Sequence, residues 1–314
     1  MKILITGAMG YIGGRLAQHL NHDKNINLVL GSRKKILAPS WAPNATTIQI
    51  NWDLIESLDE ACFDADAVIH LAGMNAQDCT SNPLAALRSN GEATGRLLAS
   101  AIKQGMKRFI YLSTAHVYAN PLIGIITEQT PALSSHPYAI SNRVGEEFVL
   151  GAHQKNEVEG VVVRLSNSFG APTHRQANCW MLLVNDLCCQ AVTTRCMVLS
   201  SSGSSLRDFV PLTDVCNAIT HLLKISKKNL GNGLFNFGSG HSQTVLQMAI
   251  LIQNRCEKIF GYKPSLSRID CGEIASCDNL EYRSDAIYSS GFNGRSDESQ
   301  EIDQLLIFCK KTFR

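Results

Sequence analysis

The chain has 314 residues, and its 29 Lys and Arg against 27 Asp and Glu give a formal net charge of +2. With 45% hydrophobic and 18% charged residues, the composition excludes a disordered chain, and the length allows one large domain or two smaller ones. The near-neutral charge gives no reason to expect nucleic acid or an anionic membrane as a partner, and no apolar run of about 18 residues predicts a membrane span.

Strands and helices alternate along the first half of the chain. Strand patterns occur at residues 2–6, 27–31, 46–50, 67–71, 108–113 and 161–165, and helical patterns at 11–20, 83–104 and 138–152. This alternation predicts an α/β protein whose parallel sheet is covered on both faces. Beyond Gly170 the elements are less regular, among them residues 213–225 and 244–260, and we expect a smaller lobe without a core of its own.

The cysteines show no metal-site spacing. The chain has 11 cysteines and no CxxC pair, since Cys188 and Cys189 are adjacent and Cys271 and Cys277 are six apart. Zinc sites usually have closely spaced ligand pairs, so we expect no metal and interpret the cysteines as buried free thiols in a reducing cytoplasm. A strand at residues 2–6 leaves no room for a signal peptide, which also favours a cytoplasmic location.

Three glycines, Gly7, Gly10 and Gly13, follow the first strand and open the first helix. In this context glycines let the backbone approach a pyrophosphate, which the helix N-terminus then faces. The alternative is an ordinary tight turn between strand and helix. We therefore expect a Rossmann-type doubly wound parallel sheet in residues 1–165. Residues 166–314 would form mainly a smaller C-terminal α/β substrate lobe, with some elements returning to the sheet.

The end of the second strand bears on the choice of cofactor. NAD sites usually place a carboxylate there, whereas NADP sites supply an arginine for the 2′-phosphate. Here Ser32 and Arg33 follow the strand and no carboxylate is present. We therefore expect NADP, with NAD as the alternative. These basic residues could otherwise simply line a solvated loop.

Ordered blocks along nearly the whole chain carry a family resemblance. They are residues 6–13, 52–54, 68–73, 111–118, 138–142, 164–167, 207–210, 234–239 and 284–292, together with Asn90. The chain resembles an extended short-chain dehydrogenase/reductase of the nucleotide-sugar epimerase/dehydratase family. The resemblance implies that Asp53 and Leu54 hold the adenine and that Asn90 supports the central strands. It also implies that further residues line the NAD(P) site, namely Tyr11, Ile12, Leu71, Ala72 and Gly73.

The resemblance also implies the catalytic groups. Hydride transfer at a sugar carbon requires a proton to leave or reach the oxygen on that carbon, and a tyrosine can carry it when a nearby positive charge lowers its pKa. Tyr138 matches the family's catalytic tyrosine, and Thr114 matches the hydroxyl partner that hydrogen-bonds the reacting oxygen. Taken alone, Tyr138 would be only an aromatic residue capping a helix.

One position departs from the family pattern. The family has a lysine four residues after the tyrosine, one helical turn away on the same face, and this chain has Asn142. Asparagine can hydrogen-bond a ribose hydroxyl but brings no charge. Arg143 is turned about 100° away around the helix. Two hypotheses follow: an enzyme with reduced efficiency, a higher pH optimum or a field supplied by the cofactor, and a protein that binds dinucleotide or nucleotide sugar without turnover.

The two residues that follow Thr114 bear on which type of reaction the chain could catalyse. Dehydratases of the family carry acidic residues there, and this chain has Ala115 and His116. Alanine cannot act as an acid, so dehydration is disfavoured. His116 could contact the substrate and donate a proton near pH 7, or it could be a packing residue.

Polar residues of the second half indicate the substrate class. Arg164 and Asn167 end a strand, and Arg207 lies in a segment that resembles the family's diphosphate-binding region. Asn178 resembles the family's second phosphate-contacting amide. Guanidinium and amide groups both donate hydrogen bonds to phosphate oxygens. In isolation each would rather be a surface ion pair or a capping residue. In this order they predict a nucleotide-diphosphate sugar.

The sequence therefore predicts an oxidoreductase acting at sugar C4, either an epimerase or a 4-keto-sugar reductase. Net reduction commonly draws on NADPH, so Ser32 and Arg33 favour the reductase. By resemblance, the helices at residues 83–104 and 138–152 would pair two copies into a homodimer.

Overall fold

A parallel seven-stranded sheet forms the centre of the protein in the computed structural model, which describes residues 1–268 and 279–314. The strands, in chain order, are β1 (Lys2–Thr6), β2 (Asn27–Ser32), β3 (Thr46–Gln49), β4 (Ala67–His70), β5 (Arg108–Thr114), β6 (Gly124–Ile126), β7 (Glu159–Leu165), β8 (Asn167–Phe169), β9 (Cys196–Leu199), β10 (Leu206–Pro211), β11 (Leu234–Phe237), β12 (Ser242–Thr244), β13 (Ser265–Arg268) and β14 (Leu280–Tyr282). The α-helices are α1 (Tyr11–Leu20), α2 (Ile55–Cys62), α3 (Ala76–Ser81), α4 (Pro83–Ala86), α5 (Ala93–Lys103), α6 (Pro137–Gln154), α7 (Leu183–Thr193), α8 (Leu212–Lys224), α9 (Val245–Phe260), α10 (Asp285–Ser289) and α11 (Glu298–Phe313).

The strand order confirms the predicted doubly wound α/β fold. The order is β11-β7-β5-β4-β1-β2-β3, and every neighbouring pair is parallel. The chain runs outward from β1 in one direction through β2 and β3, and in the other through β4, β5 and β7. In such sheets ligands bind at the carboxyl ends of the strands, where the order reverses.

Alternating side chains of β1 build a core on each face of the sheet. Ile3 and Ile5 join the buried cluster that includes residues of α1 and α8, whereas Leu4 joins the cluster that includes residues of α2, α5 and α6. Successive side chains of a strand point to opposite faces, so a continuous apolar run is buried on both sides. This arrangement holds the carboxyl ends of β1, β4, β5 and β7 in fixed positions.

The helix predicted at residues 83–104 has an irregular centre. Pro83–Ala86 and Ala93–Lys103 are α-helical, but Leu87–Glu92 between them forms a π-helical segment. Such segments are frequent at functional sites. This one contains Asn90, which lies buried beneath the candidate site.

The second half of the chain has a hydrophobic core of its own, and the expectation that it would have none is wrong. Residues of α7, α9 and α11 form a separate buried cluster that includes Leu187, Ile252 and Leu305. The second half also completes the central body, since β11 pairs with β7. In addition, the buried Arg108 of β5 donates a hydrogen bond to the Leu222 carbonyl of α8 at 2.7 Å.

The described cysteines are free thiols, most of them buried. Cys271 and Cys277 lie outside the described residues. Within residues 1–268 and 279–314 no cluster of side chains could hold a metal ion. None of the helices in these ranges combines the length and apolar character needed to cross a bilayer.

Candidate active site

A cavity of about 420 Å³ opens at the carboxyl ends of β4, β5 and β7 and extends towards α7. It brings together residues that are far apart in sequence, and most of the predicted site residues line it: Tyr11, Ile12, Leu71, Ala72, Gly73, Asn90, Thr114, His116, Tyr138, Asn142, Asn167 and Arg207. The other predicted residues are not part of its lining: Gly7, Gly10, Gly13, Ser32, Arg33, Asp53, Leu54 and Asn178.

The glycine loop has the geometry of a dinucleotide cradle. Gly7 adopts a φ of +68°, and a Cβ added to it would lie 2.7 Å from the backbone of Leu71 and Ala72. A Cβ on Gly13 would lie 2.2 Å from the Gly7 carbonyl oxygen. No side chain caps the N-terminus of α1, and its first turn has no acidic residue. The uncapped N-terminus and the helix dipole therefore favour an anion, and the loop fits a pyrophosphate.

The outer end of the predicted cofactor region lies on the surface. Arg33 is exposed and forms no ion pair with any residue in the described ranges, and the Ser32 hydroxyl accepts a hydrogen bond from the Lys34 amide at 3.2 Å. Asp53 and Leu54 are also exposed, and the Asp53 amide donates to a neighbouring side chain. The arrangement leaves the Arg33 guanidinium free for a phosphate.

Thr114 and Tyr138 meet in the cavity because β5 ends where α6 begins. His136 caps α6 by accepting a hydrogen bond from the Tyr138 amide at 3.2 Å, and Pro137 occupies the first turn. Burial raises the pKa of Tyr138, and its hydrogen bond with the Thr114 side chain opposes part of that rise. The predicted hydroxyl pair is therefore assembled, and its phenol is neutral near pH 7.

Asn142 occupies the position one helical turn below Tyr138 and has a fixed orientation. Its Oδ1 accepts a hydrogen bond from the Tyr111 hydroxyl at 2.9 Å, and its Nδ2 donates to the Tyr138 carbonyl at 2.8 Å. One amide hydrogen stays available at the cavity wall. No cationic side chain in the described part of the chain contributes to the pKa of Tyr138.

Arg164 does not face the cavity, so its expected role as a phosphate ligand is wrong. The guanidinium is buried and donates to the Glu146 carboxylate, with Nη2 at 2.6 Å from Oε2, and it stacks over the Tyr118 ring at 4.8 Å. These contacts place the Arg164 guanidinium beneath the site, where a buried charge without a partner would destabilise the fold. The sequence signal that could have indicated this role is Glu146, an acidic residue on the buried face of α6.

Arg207 and His116 provide the polar end of the cavity. Arg207 forms no ion pair within the described ranges, so its guanidinium is available to an anion. Burial, together with the nearby Arg207, lowers the pKa of His116, and its Nδ1 has no hydrogen-bond partner among the residues that the structure describes. Asn167 uses its amide to donate to the Asp208 carbonyl at 3.0 Å. Asn178 is exposed.

Asn90 ties three elements together behind the site. Its Oδ1 accepts from the Met74 amide at 2.7 Å, and its Nδ2 donates to the Ser141 hydroxyl at 3.0 Å. The π-helical segment is therefore fixed both to the loop after β4 and to α6. These hydrogen bonds give Asn90 a structural role behind the site rather than a role in the reaction.

Comparisons with known proteins agree with this geometry. A sequence model described as the NAD dependent epimerase/dehydratase family matches residues 3–238. A UDP-glucose 4-epimerase of Bacillus subtilis (strain 168) is 26% identical over 300 residues, which cover 88% of each chain.

Two solved structures show the same fold. UDP-glucuronic acid 4-epimerase from Bacillus cereus, in complex with UDP-glucuronic acid and NAD, has a TM-score of 0.80 at 20% identity and covers 99% of both chains. RMD from Pseudomonas aeruginosa, complexed with NADPH, has a TM-score of 0.79 at 19% identity and also covers 99% of both chains.

Proposed function

The chain belongs to the NAD-dependent epimerase/dehydratase family of nucleotide-sugar enzymes, and on this premise we propose that it is an oxidoreductase acting at C4 of a nucleotide-diphosphate sugar. The observation that carries the proposal is the juxtaposition of the Thr114 and Tyr138 hydroxyls in one cavity with the unpaired Arg207. A bound nicotinamide dinucleotide would supply or accept the hydride. The neutral phenol of Tyr138 gives a proton to the C4 oxygen, and Thr114 orients that oxygen.

The missing lysine favours reduction over epimerisation. Reduction of a 4-keto sugar needs a protonated phenol, which is the form that burial maintains in Tyr138. Epimerisation needs the phenolate as well, since the C4 hydroxyl must first lose its proton. We therefore place a 4-keto-sugar reductase ahead of a C4 epimerase. Arg33 and Ser32, with no carboxylate beside them, support NADP rather than NAD as the cofactor.

Diphosphate binding is assigned to the polar end of the cavity. Arg207 supplies the cation, and His116 and Asn167 lie on the same lining. Among the residues that the structure describes, the lining includes no carboxylate that would repel an anion. Asn178 would have to move to contact a phosphate. Asn142 keeps one N–H that can donate to a ribose hydroxyl of the dinucleotide.

Asn142 also supports a second candidate, a protein that binds nucleotide sugar and dinucleotide without turnover. Both functional groups of the amide are engaged by Tyr111 and by the Tyr138 backbone, and no charge replaces the lysine. Cofactor consumption separates the candidates. A reductase consumes one NADPH for each product, an epimerase consumes none, and a binding protein yields no product.

The test is turnover of UDP-4-keto-hexoses with NADPH, followed at 340 nm and by product chromatography. We expect the wild type to consume NADPH and Tyr138→Phe to lose most activity while still binding UDP. Activity that appears only after Asn142→Lys would refute the enzyme and favour the binding protein. A second assay supplies a UDP-hexose with its C4 hydroxyl intact, and conversion to its C4 epimer without net consumption of NADPH would favour the epimerase.

A homodimer is part of the proposal. The helices at residues 83–104 and 138–152 expose a shared apolar surface, with Leu84 71%, Phe148 48% and Ile140 40% exposed. Gly95 lets Phe148 lie close against α5, since a Cβ at residue 95 would be 3.0 Å from the ring. Pairing two copies through this surface would bury these side chains. The free thiols are consistent with a reducing, cytoplasmic location.

A further inference from the structure

One segment contacts both the glycine loop and the cavity. Residues 170–182, here called the bridging segment, connect the end of β8 at Phe169 with the start of α7 at Leu183. Its last residues, Met181 and Leu182, line the cavity. Its first residues lie against the helix that follows the glycine loop.

Two hydrogen bonds anchor the start of the bridging segment on α1. The Tyr11 hydroxyl donates to the Gly170 carbonyl at 3.1 Å, and Arg15 Nη1 donates to the Ala171 carbonyl at 2.7 Å. Arg15 is itself held by the buried Glu301 carboxylate at 3.1 Å. The segment therefore begins at a fixed distance from the N-terminus of α1.

His174 reaches the glycine loop directly. Its Nε2 donates to the carbonyl oxygen of Met9 at 3.0 Å, and Met9 lies between Gly7 and Gly10. Beside it, Thr173 packs so closely on α1 that a Cβ on Gly14 would be 2.4 Å from its hydroxyl oxygen. The bridging segment therefore packs directly against the glycine loop and the start of α1.

The rest of the segment is a succession of tight turns. The Ala177 amide donates to the His174 carbonyl at 3.2 Å, the Cys179 amide to the Ala177 carbonyl at 2.9 Å, and the Leu182 amide to the Cys179 carbonyl at 3.1 Å. Successive turns share the residues at their ends, so a continuous run of hydrogen-bonded turns connects His174 with the cavity-lining Leu182.

We propose that the bridging segment couples dinucleotide binding to nucleotide-sugar binding, with His174 as the positioning residue. The inference rests on the proposed function, in which a dinucleotide occupies the glycine loop and a nucleotide-diphosphate sugar the cavity. A pyrophosphate on the loop restrains Met9, the Met9 carbonyl then restrains His174, and the turns hold the cavity wall in its binding geometry. Thermodynamic linkage makes the effect reciprocal, so each ligand improves the affinity for the other by the same factor.

The experiment measures the dissociation constants of NADPH and UDP, each alone and in the presence of the other. For the wild type we expect each ligand to tighten the other several-fold. For His174→Ala we expect NADPH to bind about fivefold more weakly, as for the loss of one hydrogen bond, and the coupling factor to fall to about one. UDP binding alone should stay unchanged. His174→Gln, whose Nε2 can donate to the same carbonyl, should restore the coupling.

His153→Ala is the matched control. His153 Nε2 donates to the Gly231 carbonyl at 3.1 Å, far from the cavity lining. This variant tests whether the loss of any histidine–carbonyl hydrogen bond weakens NADPH binding and the coupling as His174→Ala does. Hydrogen exchange gives a second readout: NADPH should protect amides 177–182 in the wild type but not in His174→Ala.

Three outcomes overturn the coupling. The first is wild-type coupling in His174→Ala. The second is an equal loss of affinity for NADPH alone and UDP alone, together with a lower Tm, which would show a merely structural role. The third is a wild type that binds both ligands independently. A wild type that binds neither NADPH nor UDP would instead refute the proposed function itself.

Discussion

Substituting Asn142 by lysine should restore the electrostatic field that Tyr138 lacks. Tyr138 and Asn142 are one turn apart on α6, so their Cβ atoms are about 5–6 Å apart, and we take about 5 Å as the separation of a lysine ammonium from the phenol oxygen. At an effective dielectric constant of about 20, this pair interacts by about 3 kcal/mol, which lowers the pKa of the phenol by about 2 units. In the wild type no cationic side chain of the described residues opposes the effect of burial, which raises that pKa.

The pH dependence of kcat/KM in each direction reports this change. Oxidation of the C4 hydroxyl needs the phenolate, so its rate rises about tenfold per pH unit until the pH reaches the pKa of Tyr138. Asn142→Lys should move this ascending limb about 2 pH units lower and so raise oxidation at pH 7 by up to about 100-fold. Reduction needs the phenol, so the wild type should show no descending limb below about pH 10, because burial raises the pKa of Tyr138 above its ordinary value. Asn142→Lys should move this limb lower by the same amount and so bring it towards the assayed range. The assay is absorbance at 340 nm between pH 6 and pH 10.

Asn142→Gln is the neutral control, because it lengthens the side chain without adding charge. If Gln moves the limbs as far as Lys does, the loss of the Tyr111 hydrogen bond rather than charge is responsible, and the electrostatic reasoning is refuted. Limbs that stay in place in Asn142→Lys would refute it as well. The double variant Tyr138→Phe/Asn142→Lys lacks the phenol. If its kcat/KM still shows the same pH-dependent limb, the titrating group is not Tyr138.

Three further variants test other parts of the structure. Gly13→Ala places a Cβ 2.2 Å from a backbone oxygen, so calorimetry should show NADPH binding weakened at least about tenfold. Gly151→Ala, also helical but with no atom within 4 Å of the added Cβ, should keep that affinity and stabilise the fold by about 0.5–1 kcal/mol. Arg164→Ala leaves a buried carboxylate unpaired, and urea unfolding should show a loss of roughly 3–5 kcal/mol. Arg283→Ala removes the solvent-accessible ion pair with Glu281 and should cost much less than Arg164→Ala, and an equal loss in both variants would contradict the buried-pair argument. Phe148→Asp should convert a dimer to a monomer in light scattering, since an unpaired charge is costly to bury, and a dimer that persists would place the interface elsewhere.

Local patterns were sufficient to predict most of the central sheet. The helix predicted at residues 11–20 has those limits in the structure, and residues 244–260 differ only in that Thr244 is the N-cap of α9. These elements follow from apolar periodicity and capping within a few residues. The π-helical segment at residues 87–92 has no such signature, and the contacts of its Asn90 are with residues distant in sequence, Met74 and Ser141.

The sequence was sufficient to identify most residues of the candidate site, but not the ion pairs that its charged side chains form. Thr114 and Tyr138 were assigned by resemblance, and the structure brings them together across the ends of β5 and α6. The partner of Arg164 could not be inferred, because a lone arginine at a strand end looks the same whether it faces phosphate or a buried glutamate. The core of the second half was also missed. Its buried side chains come mainly from three helices widely separated in sequence, with further residues from β8, β9 and β10, and only their packing shows that they belong together.

The position of β11 affects how the protein folds during synthesis. β7, with its run of valines at residues 161–163, is complete by residue 165, but β11 is not complete until residue 237. Until then, the edge of this valine-rich strand has no neighbour on its outer side, and unpaired edges of this kind are prone to aggregate. At ribosomal rates of about 5–20 residues per second, the delay is roughly 4–14 s. The newly made chain therefore passes through an interval in which the outer edge of β7 is unpaired and can contact other chains.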